Sequence, residues 1–184
     1  MVGRWVHYQS YSFYQVFRVK WASHYCYRCG TPLAIQEHER IVERTDERGR
    51  DFALFGNVRN TLGATKFIHD IYHCPRCDLD IEIDTQLSIE NLITSMEKAE
   101  RYFQKKGYNL SIQGAFETND GEFVENISDI SQIKKVLLCV FLDETNIGVY
   151  QSPLHKSGIG EKAYFFSVKK YELIGFIRKL LKNR

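Results

Sequence analysis

Cys26-Tyr27-Arg28-Cys29 and Cys74-Pro75-Arg76-Cys77 decide the reading of this chain. Each pair has the spacing at which two thiolates grip one metal ion from a tight turn, and together the four sulfurs complete a tetrahedral zinc site. A tertiary contact follows from the sequence: residues 26–29 must lie beside residues 74–77. Four thiolates leave no open coordination position, so the ion is expected to hold structure rather than perform catalysis.

The residues around each pair support a turn. Gly30 follows Cys29 and lets the backbone adopt a positive φ, which points amides at the thiolates. Pro75 pre-sets φ after Cys74. The stretches 24–33 and 72–79 resemble the paired knuckles of the zinc-ribbon superfamily. The resemblance implies that Cys26, Cys29, Cys74 and Cys77 are the ligands of one structural Zn2+. The 44 residues between Cys29 and Cys74 exceed what a minimal ribbon needs and suggest an insertion or an additional hairpin. Two disulfides are the competing use of the same cysteines, in three connectivities. His24 and His73 flank the knuckles and are expected beside the site rather than in it.

A chain of 184 residues, 43% hydrophobic and 26% charged, has enough apolar material for one medium domain or two small ones. No apolar run reaches the length of a membrane span. Met1-Val2-Gly3-Arg4-Trp5 lacks an apolar signal core, and free zinc thiolates fit a reducing cytoplasm. A net charge of +2 makes no strong electrostatic case for nucleic acid. Arginine concentrates in residues 1–84 and lysine in residues 85–184. Guanidinium forks suit phosphate or carboxylate, though nearby acids balance them.

The pattern predicts an α+β protein: a β-rich four-cysteine zinc ribbon in residues 1–84, then an α+β unit in 85–184 with a central antiparallel sheet and two amphipathic helices. Phe17-Arg18-Val19-Lys20-Trp21 alternates with period two and reads as a strand. With Trp5, Tyr8, Tyr11, Phe13 and Tyr14 it is either a base-stacking surface edged by Arg18 and Lys20 or aromatic cover for a thin zinc core. Residues 33–45 alternate, Asp46–Arg50 reads as a polar turn, Phe52–Phe55 as a short apolar run, and Asn60–Thr65 as a loop. Residues 66–72 lead as a strand into the second knuckle. Asp78–Asp84 alternates strictly, with Leu79, Ile81 and Ile83 inward and four carboxylates outward, which Arg40 or Arg44 would offset across the sheet.

In the second half, Ser88 is expected to cap a helix whose apolar face runs from Ile89 to Phe103 and which stops at Gly107. Leu110–Ile112 and Phe123–Val124 flank a turn at 118–121. Val136–Leu142 reads as a central strand carrying a buried Cys139, Asp143–Asn146 as a hairpin turn, 151–162 as a loop and 163–168 as a strand. A final amphipathic helix covers 171–182.

No Walker loop and no Gly-x-Ser-x-Gly elbow occurs, and nothing orients Ser152 with His155. The expected function is a non-enzymatic zinc module that binds nucleic acid, or a complex handling it, through Arg18, Lys20, Arg28 and Arg76. A protein–protein adaptor is the first alternative. A metal-dependent nuclease-like enzyme, using acids in 78–84 or the group Asp143, Glu144, Glu161 and Lys162, is the second.

Overall fold

A computed structural model describes residues 2–7, 13–42, 64–125, 127, 129–156 and 164–183, with no account of the side chains before 16 or at 40–42, 64–67 and 156. The polar turn at 46–50, the apolar run at 52–55 and Tyr8, Tyr11, Arg44, Glu161 and Lys162 lie outside the described residues. The protein is α+β, and it divides into two compact units, with the break after Ile83.

The first unit is organised by one long strand. Strand β3 (Ala64–Cys74) pairs antiparallel with β2 (Ala34–Val42) along nearly its whole length. Its other edge is shared: β1 (Val2–His7) runs parallel beside residues 64–68, and β4 (Leu79–Glu82) runs antiparallel beside 71–74. Ile68, Tyr72 and Cys74 are buried on one face of β3, and Ile81 of β4 joins them as the partner of Tyr72. Ala64 and Thr65, expected in a loop, already belong to β3.

Two expectations for this unit fail. The segment expected to be a strand at 17–21 is helix α1 (Phe13–Lys20). Its alternation spans five residues and satisfies helical spacing equally well. Val19 is buried, whereas Phe17 and Trp21, four residues apart, project outward with ring centroids 4.9 Å apart. They therefore do not cover the zinc module. The alternation at 78–84 also stops early, because Ile83 and Asp84 open helix α2 (Ile83–Gln104). That helix begins five residues before Ser88, so Ser88 is no cap.

The second unit is a five-stranded antiparallel sheet, ordered β6-β5-β7-β8-β9. Its strands are β5 (Leu110–Thr118), β6 (Phe123–Val124), β7 (Ile133–Leu142), β8 (Thr145–Lys156) and β9 (Tyr164–Phe166). The apolar run expected to be central is β7, between β5 and β8. The loop expected at 151–162 is strand through Lys156. The hairpin turn holds Asp143 and Glu144 at φ +48° and +64°, the left-handed pair that a two-residue loop between twisted strands requires. Cys139 is half-buried rather than fully enclosed.

Helices α2 and α3 (Lys170–Lys182) cover the same sheet face. Gly114 lies under Met96 of α2 and Gly148 under Leu180 of α3; their strand partners, Leu138 and Val140, are alternate residues of β7. The polar side chains on the buried stripe of α2 serve the edge strand. The Tyr164 amide donates to Thr85 Oγ1 at 2.9 Å and the Phe166 amide to Ser88 Oγ at 2.6 Å, while Ser95 donates to the Val168 carbonyl at 3.2 Å. Backbone groups that β9 would leave unpaired are thus satisfied by helix hydroxyls. Helix α2 ends as the sequence indicates. Gly107 takes φ +85°, its amide bonds the Gln104 carbonyl, the Tyr108 amide bonds the Phe103 carbonyl, and the Phe103 and Tyr108 rings meet.

A contrast between two glycines tests this packing. A Cβ on Gly148 would fall 2.6 Å from Leu180, whereas one on Gly175, inside α3, meets nothing within 4 Å. Gly148→Ala should lower unfolding stability by about 1–3 kcal/mol through overpacking. Gly175→Ala should raise it by about 0.5–1 kcal/mol through helix propensity. Denaturant melts of the two variants against the parent read both signs.

Candidate metal centre

Both cysteine pairs sit on hairpin tips. In the first, the Cys26 amide donates to the Thr31 carbonyl at 2.8 Å, the Gly30 amide to the Cys26 carbonyl at 2.8 Å and the Leu33 amide to the His24 carbonyl at 2.9 Å, with Tyr25 bridged to Pro32. In the second, Cys74 pairs with Leu79 across the turn joining β3 to β4. The residue after the second cysteine has a positive φ in both: Gly30 at +70° and Asp78 at +48°. The two tips therefore share a local conformation despite different sequences. The Asp78 conformation was not expected from its side chain, and the matching position of Gly30 is the signal that points to it.

The tips converge. The sulfurs of Cys26, Cys29, Cys74 and Cys77 all lie within 4.8 Å of one another, and all four cysteines are free of disulfides. Zn–S bonds of about 2.3 Å at tetrahedral angles place sulfurs about 3.8 Å apart, so the cluster fits such an ion with a small contraction. Cys29 Sγ and Cys74 Sγ are 3.5 Å apart. Cys26 and Cys74 are buried, while Cys29 and Cys77 are partly accessible. Among the described residues, this is the only group of three or more His, Cys, Asp or Glu side chains arranged to hold a metal ion.

The electrostatics suit a cation at the centre. The Arg28 and Cys29 amides bond Cys26, as the glycine-assisted turn requires, although burial is the larger effect and raises the Cys26 thiol. The Thr31 hydroxyl, 3.2 Å from Cys29 Sγ, and then the Thr31 amide pull the Cys29 thiol down to about 6. Hydrogen bonding to Cys29, followed by burial, pushes Cys77 up to about 12. The metal-free cluster thus favours one thiolate, with Cys77 retaining its proton beside it. A divalent cation would remove that difference, because coordination requires every thiol to ionise.

The two neighbouring histidines are occupied elsewhere. His24 is buried with Nε2 2.8 Å from the Arg18 carbonyl, and its ring lies against Tyr72, centroids 4.6 Å apart. The Tyr72 hydroxyl donates to the Val19 carbonyl at 3.0 Å. Two carbonyls at the end of α1 are thereby tied to the first knuckle and to β3. His73 Nδ1 lies 2.9 Å from Asp80 Oδ1, and His69 Nε2 lies 3.4 Å from Glu82 Oε1. Histidines of β3 therefore face carboxylates of 78–84, while the Arg40 and Arg44 side chains expected there lie outside the described residues. Nothing in the sequence pattern signalled either pairing.

The structure distributes the four candidate basic residues unequally. Arg28 and Arg76 are exposed, one on each knuckle, immediately before the second cysteine of its pair. Lys20 faces Asp70 at 3.6 Å, and Arg18 is half-buried in α1. Asp143 and Glu144 are exposed in a tight turn. Ser152 is buried and His155 is stacked beside Phe165 on the exposed side of β8, so the two do not combine.

No protein-family model, curated protein or solved structure matches the chain. No helix among the described residues is long and apolar enough to cross a membrane.

Two measurements test this centre. In protein stripped by a chelator at pH 7, a thiol at about 6 is mostly ionised and one at about 12 is not, so alkylation should strike Cys29 well before Cys77. Thr31→Val, which removes the hydroxyl and keeps the amide, should reduce the preference, as peptide mass spectrometry would show. In the metal-loaded protein, Gly30→Ala should cost about 1–2 kcal/mol of stability, while Asp78→Gly, which relieves the left-handed strain, should raise it. Thermal melts that move both variants in one direction would contradict the shared turn.

Proposed function

We propose that the chain is a structural-zinc module of zinc-ribbon kind that binds single-stranded nucleic acid on the surface beside its knuckles. Zinc is the ion that four clustered thiolates suit best, and the closed donor set supports a structural role.

The observation that carries the nucleic-acid reading is the Phe17–Trp21 pair. Phe17 is 49% and Trp21 73% exposed, in contact with each other at the end of a helix anchored to the first knuckle. A base stacked on such a ring contributes about 1–3 kcal/mol irrespective of its identity. Arg28 and Arg76 supply phosphate contacts. Their second role is electrostatic, since four thiolates around one dication leave two negative charges in excess. Lys20 contributes less because Asp70 already faces it.

Binding of an oligothymidylate to the zinc-loaded chain tests the proposal. Affinity should fall steeply as salt rises. Trp21→Ala should weaken it about tenfold, within the range of one lost stack. Arg28→Glu with Arg76→Glu should weaken it further while one zinc per chain is retained. Absent or salt-insensitive binding would refute the reading. In that event the exposed rings favour the protein–protein adaptor, and Trp21→Ala should instead abolish capture of a protein partner.

A further inference from the structure

We infer that Tyr102, Lys106 and Arg178, in the second unit, form an oxyanion site that takes a phosphate group. The site is separate from the metal centre and does not depend on the function proposed above.

Tyr102 lies in the last turns of α2, Lys106 follows the end of that helix, and Arg178 lies near the end of α3. Lys106 Nζ is 4.9 Å and the Arg178 guanidinium carbon 5.2 Å from the centroid of the same Tyr102 ring. The two cations are therefore no more than about 10 Å apart, near the distance over which physiological salt screens them. Arg178 Nη2 donates to the Tyr102 hydroxyl, which fixes one arm of the guanidinium and leaves further N–H donors directed elsewhere.

Among the described residues, the charge of this cluster is not balanced locally. Ion pairs among the described residues of this unit join Arg101 to Glu97, Lys134 and Lys135 to Glu117, and Lys169 to Glu172. Lys106 and Arg178 have no carboxylate within ion-pair distance among the described residues. Residues 97–109 and 176–183 contain seven basic residues against two acids, Glu97 and Glu100. Glu97 is held by Arg101, and Glu100 accepts the Ile112 amide at 2.6 Å. The hydrogen bond from Arg178, and next that from Lys106, lower the Tyr102 phenol from its usual range, which reports the same positive potential.

Helix dipoles explain why cations collect at two helix C-termini. They do not explain why a lysine and an arginine from different helices share one phenol without an acid between them. A guanidinium fork, an ammonium and a hydroxyl that reorients on anion binding form the donor set that suits a tetrahedral oxyanion.

The test titrates the isotopically labelled, zinc-loaded chain by NMR with inorganic phosphate in one arm and with an oligothymidylate in the other. A saturable shift at Tyr102, Lys106 and Gly107 is expected with at least one probe. Arg178→Gln should weaken it about tenfold or more, as loss of a charge-assisted hydrogen bond does. Lys106→Gln, on an exposed turn, gives the same reading without touching the Tyr102–Arg178 contact. Response to phosphate assigns a free anion, and response to the oligothymidylate alone assigns a phosphodiester backbone. No saturable shift with either probe, or shifts unchanged in both variants, would overturn the inference.

Discussion

Convergence of four sulfurs from two hairpin tips is the constraint on which the first unit depends. Forty-four residues separate the pairs, and closing a loop of this length costs about 4 kcal/mol of chain entropy. The described strands offer a modest core with which to offset that, centred on Ile68, Tyr72, Cys74 and Ile81. A four-thiolate zinc site binds with about 10–16 kcal/mol. The metal term exceeds the closure term several-fold, so the knuckles can hold a long intervening segment without a large apolar interior. Burial of Cys26 and Cys74 makes the same dependence visible from the other side, because enclosed thiolates are costly unless a cation offsets them.

The two units solve the problem of unpaired backbone by different means. In the first, the end of α1 is received by His24 and Tyr72, which carry the helix to the knuckle and to the long strand. In the second, hydroxyls of α2 receive the edge of β9, and glycines at 114 and 148 let two helices lie on one sheet face. The surfaces left over differ accordingly. The first unit exposes Phe17 and Trp21 at the end of the helix tied to its first knuckle, and the second collects cations where two helices end.

Much of this was legible in the residues. The cysteine spacing defined the site, because thiolate ligation tolerates few geometries and residues 26–29 and 74–77 had to meet. The α+β class, the central strand at 136–142, the glycine stop at 107 and the last helix followed from period and turn chemistry. The failures have specific physical causes. Five alternating residues at 17–21 cannot distinguish a strand from a short helix when Phe17 and Trp21 also satisfy a spacing of four. The alternation through Ile83 hid the start of α2, since Ile83 is buried in the helix just as the strand reading required. Ser88 has the chemistry of a cap, yet its partner is a strand seventy-eight residues away, and no local pattern encodes that. The histidine partners of Asp80 and Glu82 are likewise set by strand register.

X-ray absorption at the zinc edge, on protein purified without added metal, tests the central claim most directly. The account predicts one zinc per chain, with a shell of four sulfurs at about 2.3 Å and no nitrogen or oxygen ligand. A preparation without zinc, or a shell in which light atoms replace any of the sulfurs, would contradict it.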